Sequence, residues 1–365
     1  MKPEKIGPIL SRTFNGYSTH AETSPEVRLA DTLRGRPQTL PELLRLFERE
    51  EARENPDVTV ALKELTMTDA GLIHVPKVGE FISTEWSKQQ AARLLGVRFD
   101  RWFQNATGKE RAEEMNRRLK RANGDIRLRT MKPIDSGFGE PQDADGILRA
   151  CVTPSYAAVK DSSVAETLLT LLAPVEQEFR LLRFDMTDRT TSFVVAIGKP
   201  YTKGGPGQVG DVWGGLLVRN SGVGFASILI TRHLTRIIYL NGLAAPLPDA
   251  VLLRRRHRGS QEAALLKGLR VQAADLPDEL GRGVERLLLS EERHVDNVEA
   301  EVGGILRDRR LPARLLPQVM QAYGHEPTPS AFGISQALTF AAQSLAPEER
   351  LELEQAAGSY LAALN

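Results

Sequence analysis

The sequence predicts an α+β fold, with an antiparallel β-sheet core flanked by helices and a helical C-terminal region. Two observations predict it. The middle of the chain carries strand-like runs bounded by turn signals: DIRLRTMK, GILRACVTPSYAAV, FRLLRFDMTD, TTSFVVAIGKPY and the apolar stretch beginning at Trp213. Beyond residue 260 the apolar residues recur at three- and four-residue spacing, the period of a helix. Runs of strands followed by runs of helices read as α+β.

In chain order, residues 1–37 are rich in Pro, Ser, Thr, Gly and charge without periodicity, so an N-terminal arm is expected there. Thr39 before Pro41 and Glu42 starts a helix whose apolar stripe is Leu43, Leu44, Leu46 and Phe47. The run DVTVALKELTMTDAGLIHVPKVGEFI alternates and turns at Asp69-Ala70-Gly71, a hairpin signal. Helices are expected over 86–96 and 108–122; the second puts Ala112, Met115, Leu119 and Ala122 on one face and Arg117, Arg118, Lys120 and Arg121 outward. A further helix over 162–178 begins at Ser162-Ser163, Thr202 to Gly210 is loop by composition, and Asn220-Ser-Gly-Val-Gly turns between two strands. Helices then follow over 261–269, 276–307 and 312–323, with one or two from Ser335 to Leu364.

At 365 residues and 41% hydrophobic content the chain can bury a sizeable core in one large or two modest domains. The expected divisions are the arm over 1–37, an α+β core with a basic β region over 38–260, and a helical region over 261–365 packed on that core. One cysteine, Cys151, precludes an intrachain disulfide and a cysteine zinc cluster, and its apolar setting predicts an inert buried thiol. No segment reaches the ~20 apolar residues of a membrane span, so a soluble, cytoplasmic protein is expected.

Charge is polarised along a chain whose formal net charge is +1. From Trp213 to Ser260 seven arginines face one acid, Asp249, and Arg254, Arg255, Arg256 and Arg258 fall within five residues. From Arg101 to Lys132 ten bases face four acids, with Trp102 and Phe103 at the start and Arg127 and Arg129 alternating along a strand. Residues 261–301 hold ten acids against five bases, with Glu291, Glu292, Asp296, Glu299 and Glu301 crowding one helical stretch. A localised basic patch in a near-neutral chain is what a polyanion-binding groove needs; the same cluster could also guard a strand edge or pair with the acidic helix.

Catalytic templates fail. Gly108-Lys109 lacks the earlier glycine and following hydroxyl of a phosphate-binding loop, and Gly204 to Gly210 is interrupted by Pro206. The six histidines form no helix-borne pair, Glu291, Glu292, His294 and Asp296 point different ways on one expected helix, and no G-x-S-x-G elbow occurs. Asp185 and Asp188 flank a turn and lack a third metal ligand. Neither a cofactor nor an enzymatic activity is expected.

The run Val218-Arg-Asn-Ser-Gly-Val-Gly-Phe-Ala-Ser-Ile, followed by Arg236-Ile-Ile-Tyr-Leu-Asn-Gly-Leu and Leu253-Arg-Arg-Arg-His-Arg-Gly, resembles the phage/plasmid-like proteins grouped as domain of unknown function 932. Leu95-Gly-Val-Arg-Phe, the stretch YAAVKDSSVAETLL from Tyr156 and Ile334-Ser-Gln-Ala-Leu-Thr-Phe-Ala-Ala-Gln agree, so the resemblance runs from about residue 90 to 360, while Tyr239 stands where that family usually has Cys. The resemblance implies a mobile-element protein that works beside replication and recombination functions. The β-rich core with a basic groove also has an analogy, at the level of fold alone, with single-strand annealing proteins.

The expectation is therefore a mobile-element protein that binds single-stranded DNA, and anneals complementary strands, without bond chemistry. The residues expected to contact nucleic acid are Arg117, Arg118, Arg121, Arg127, Arg129, Trp213, Arg232, Arg236, Tyr239, Arg254, Arg255, Arg256, His257 and Arg258, with arginines on phosphates and Trp213 or Tyr239 stacking on bases. A homo-oligomer, as ring or filament, is expected, and no membrane partner. A regulatory factor that binds a protein partner is the alternative, and a metal-dependent nuclease the last.

Overall fold

The computed structural model describes residues 37, 39–96, 105–132, 144–172, 179–201, 212–238, 241–255, 257 and 276–363. The arm over 1–37 apart from its last residue, the loop over 202–210, the helix over 261–269 and the Trp102-Phe103 pair lie outside them.

Local capping chemistry sets the helix starts. Helix α1 (Leu40–Glu51) begins where Thr39 Oγ1 accepts from the Glu42 N–H at 3.3 Å, with Pro41 in its first turn. After the first four strands, Thr84 caps α2 (Glu85–Leu94) by accepting from the Ser87 N–H at 3.1 Å. Helix α3 (Gly108–Leu119) carries a full capping box, in which Glu110 also takes the Thr107 N–H at 2.8 Å. Helix α4 spans Asp161–Leu172.

The strands form two sheets. The first contains β1 (Val58–Ala61), β2 (Thr66–Met67), β3 (Leu72–Val75), β4 (Gly79–Ser83), β5 (Asp125–Met131) and β6 (Gly146–Val152) in the order β1-β5-β6-β4-β3-β2. The β2–β3 hairpin turns at Asp69-Ala70-Gly71, with Gly71 at φ +83°. Strands β4 and β6 run parallel, a departure from a purely antiparallel core, because the chain between them crosses through α2, α3 and β5. The second sheet is an antiparallel meander of β7 (Phe179–Met186), β8 (Thr191–Ile197), β9 (Val212–Asn220), β10 (Ile228–Ile238) and β11 (Asn241–Arg255), in the order β11-β10-β9-β8-β7.

Alternation decides what each face covers. In β5, Ile126 and Leu128 point to the core with Ala112, Met115 and Leu119 of α3, whereas Arg127 and Arg129 lie on the opposite face beside Ala150 and Val152 of β6. In the second sheet, Phe193, Val195, Leu216, Val218 and Ile230 share a core with α1, α4 and α5 (Leu276–Glu292). Gly214 lets α5 approach, since a Cβ there would stand 3.0 Å from Leu280. The other face, with Val194 and Leu217, packs on Leu351 of the last helix.

The C-terminal region is helical, as its spacing predicts. It contains α5, α6 (Val298–Asp308), α7 (Leu315–Tyr323), α8 (Ala331–Ala342) and α9 (Pro347–Ala362), the last four around a core of their own. The single helix expected over 276–307 is two. Residue His294 forms a β-bridge with Ser330, and Asn297 starts a new helix by accepting from the Ala300 N–H at 2.9 Å. Glu291 and Glu292 therefore lie on a different helix from Glu299 and Glu301, and the acidic stretch is not one face.

Candidate nucleic-acid interface

The turn between β9 and β10, Ser221 to Phe225, is the joint between the two sheets. The carbonyl of Val223 accepts from Trp86 Nε1 at 3.0 Å and from Gln90 Nε2 at 2.9 Å, both on α2. Tyr156 Oη donates to the Ser221 carbonyl at 2.8 Å, and the Ser221 hydroxyl donates to the Arg189 carbonyl at 2.7 Å. Phe225 meets Trp86 edge to face with ring centroids 4.9 Å apart. Asn220, ahead of the turn, donates to the Val159 carbonyl at 2.9 Å and to Asp161 at 2.7 Å. The Asn-Ser-Gly-Val-Gly run thus does more than turn the chain.

Arg129 belongs to this joint. Its guanidinium bonds Glu54 at 2.9 Å, Asp57 at 3.1 Å and the Gly222 carbonyl, while Glu54 also takes Arg149 at 2.6 Å. Burial opposes the Arg129 charge, but Glu54 and Asp57 outweigh it and hold the group above the usual arginine value. Arg127 donates to the Tyr156 carbonyl at 2.6 Å. His257 is 6% exposed, its ring 5.3 Å from that of Tyr156, and burial pushes its pKa down, so it carries no charge for a phosphate at neutral pH.

On α3, Arg117 and Arg118 both pair with Glu114, and Arg118 also donates to the Leu95 and Gly96 carbonyls at 3.0 and 3.2 Å; Arg121 is exposed just past the helix end. Because α3 covers the Ile126–Leu128 face, the first sheet stands between these arginines and the second sheet. The two basic segments do not line one groove.

The second sheet separates its own candidates as well. Register places Ser192, Arg219, Leu229 and Arg254 in one row across β8 to β11, and Ile228 opposite Arg255. Arg254 and Arg255 are exposed at this end of the edge strand. Arg219, which sequence reasoning counted but did not select, is the arginine the register brings into one row with Arg254, two strands away across Leu229. Burial lowers the Arg219 pKa first and the Arg254 charge lowers it further, with Glu352 and Glu348 acting the other way. Trp213 sits six residues along β9, about 20 Å away at the strand's other end, with the Arg180 guanidinium 5.2 Å from its ring. Arg232 shares the face of Leu216, in mid-sheet, and Arg236 pairs with Val212 in register near Trp213. Tyr239, Arg256 and Arg258 lie outside the described residues.

The arrangement offers guanidinium donors and little else chemically. Among the described residues no group of three or more His, Cys, Asp or Glu could hold a metal ion. Asp185 is occupied by Arg350 at 3.2 Å and by Arg183 at 3.5 Å, and Asp188 approaches Arg189 at 3.9 Å. No helix among the described residues is long and apolar enough to cross a membrane. Comparison with models of known families, with curated proteins and with solved structures finds no match to this chain.

Proposed function

We propose that this chain is a DNA-binding protein of a phage- or plasmid-type mobile element, of the phage/plasmid-like kind its sequence resembles, which captures single strands in the cytoplasm without bond chemistry. The observation that supports the reading is Arg254 in one row with Arg219 at one end of the second sheet, two strands apart with Leu229 between them, and Arg255 exposed on the opposite face of the edge strand. Neither Arg254 nor Arg219 has an ion-pair partner among the described residues; Glu348 and Glu352 act on Arg219 at longer range. The Arg254 charge acts on Arg219 across Leu229 and lowers its pKa, and a bound phosphate relieves that repulsion. Trp213, at the far end of β9, is not part of this capture site. Copies assemble as a homo-oligomer along the strand.

The test is fluorescence anisotropy with a labelled single-stranded oligonucleotide and its duplex across a salt titration. The wild type should bind the single strand with a log-log salt slope of about −0.7 per phosphate contact. Reversal at Arg254→Glu and Arg255→Glu, both solvent-facing, should cut affinity at least tenfold and flatten the slope. No binding by the wild type at low salt overturns the reading, and unchanged binding by the reversal variant reassigns the cluster to a protein partner.

A further inference from the structure

The corner between α6 and α7 carries four exposed arginines within eight residues: Arg307, Arg309, Arg310 and Arg314. Helix α6 ends in a Schellman arrangement, with the Leu311 N–H on the Leu306 carbonyl at 2.8 Å and the Arg310 N–H on the Arg307 carbonyl at 3.0 Å. That geometry puts Arg310 in the left-handed region at φ 56°, the position where glycine is the ordinary residue. Arg314 is the N-cap of α7, makes no side-chain cap bond, and places a cation at the end of a helix that favours anions. Two of the four arginines thus stand where local backbone chemistry disfavours them. Residues that break local rules in an otherwise consistent chain mark places where the side chain is used.

Their partners are few. Arg314 pairs with Glu349 in the first turn of α9, while Arg307, Arg309 and Arg310 have no carboxylate partner among the described residues. The helix dipole accounts for Arg307 in the last turn of α6, and not for an arginine at the glycine position after it. No large exposed hydrophobic side chain lies in this corner, where a protein interface would present an apolar or aromatic anchor. A cluster of four arginines against one exposed acid, Asp308, without an apolar anchor suits phosphate, which guanidinium forks bind in bidentate fashion. The first turns of α9 connect the corner to the second sheet, since Glu349 holds Arg314 while Glu348 and Glu352 act on Arg219.

We infer that the α6–α7 corner is a second phosphate-contact site for single-stranded DNA, separate from Arg254 and Arg219. The inference rests on the DNA-binding reading above, and names a site 50 residues and more from its arginines in sequence.

The full chain is compared with Arg310→Gly and with the triple variant Arg307→Ala, Arg309→Ala, Arg310→Gly by anisotropy against salt and by thermal melting. Relief of the left-handed arginine should raise Tm by about 2 °C in both variants. Binding should move the opposite way: the log-log salt slope should shrink by about 0.7 per arginine removed, and affinity for the single strand at physiological salt should fall at least tenfold in the triple variant. A structural role predicts lower Tm instead. A triple variant that keeps the wild-type slope while the Arg254→Glu, Arg255→Glu protein loses binding overturns this inference and leaves the DNA-binding reading standing. Failure of the wild type to bind overturns both.

Discussion

The indole N–H of Trp86 donates to the carbonyl of Val223 at 3.0 Å, joining residues 137 apart in sequence and the first sheet's helix to the second sheet's turn. Trp86 is 4% exposed and Val223 1%, so the bond is made out of water. A second donor, Gln90 Nε2, shares the same carbonyl. The turn can approach this closely because Gly224 adopts φ +77°, and a Cβ there would press within 3.3 Å of Val152.

Truncation of Trp86 should therefore destabilise the fold far more than truncation of Gln90. Trp86→Ala removes a buried ring, its contacts with Phe225 and one donor, and should cost about 3–5 kcal/mol. Gln90→Ala also leaves the Cys151 N–H without its acceptor but opens little space, and should cost about 1–2 kcal/mol. Urea unfolding of both variants measures the difference; equal midpoints would show that the turn is not anchored through the indole.

Glu354 and Arg183 make the deepest ion pair among the described residues, the carboxylate fully buried and the guanidinium bonded to both its oxygens, one at 2.9 Å. Burial works against the Arg183 charge, and Glu354 restores it to above the ordinary arginine value. Removing the carboxylate leaves Arg183 with Asp185, at 3.5 Å and shared with Arg350, so Glu354→Ala should lose about 3 kcal/mol, while Arg183→Met with Glu354→Leu should recover most of the loss. A double-mutant cycle by chemical denaturation measures the coupling, and additive losses would contradict it.

Local chemistry was legible in the sequence wherever it is sequence-local. Thr39 and the hairpin at Asp69-Ala70-Gly71 stand where their residue patterns place them. The alternation of β5 correctly sets Arg127 and Arg129 opposite Ile126 and Leu128, but periodicity says which side a residue faces and not what covers that side. The cover is the turn at Ser221 to Phe225 for Arg129, which bonds the Gly222 carbonyl 93 residues on, and Tyr156 for Arg127, which bonds its carbonyl, so two expected phosphate ligands become bonds of the joint. The pairing of Arg219 with Leu229, and of Leu229 with Arg254, is likewise a long-range register. The break at 293–297 was hidden because the charge pattern continues across it, while the Ser330 bridge that enforces it is distant in sequence.

Cys151 should behave as an inert thiol. It is buried on β6, and burial pushes its pKa up to about 12 from the usual 9.0. Only the thiolate reacts, so native alkylation at pH 8 should be on the order of a thousandfold slower than in the denatured chain. Iodoacetamide labelling with and without denaturant, read by mass, decides it; comparable rates would mean the strand opens freely.

Acid should unfold the protein partly through His233. This residue lies on β10 with 0% exposure, and its two ring nitrogens have no hydrogen-bond partner among the described residues. Burial, reinforced by the Arg183 charge, pushes its pKa down to about 3 from 6.5. The unfolded chain therefore takes up a proton as pH falls through 6.5, while the folded chain resists until pH 3, so stability is full above pH 6.5 and declines between these values. Asp161, whose pKa burial raises against its bonds to Thr191 and Asn220, acts in the opposite sense, because its folded form gains a proton more readily. The histidine contribution is isolated by His233→Leu, which keeps the volume and removes the titration. Its unfolding free energy should fall less steeply from pH 6 to pH 4 than that of the wild type, by roughly 2 kcal/mol over that range. Parallel pH profiles would assign the acid limb to the carboxylates instead.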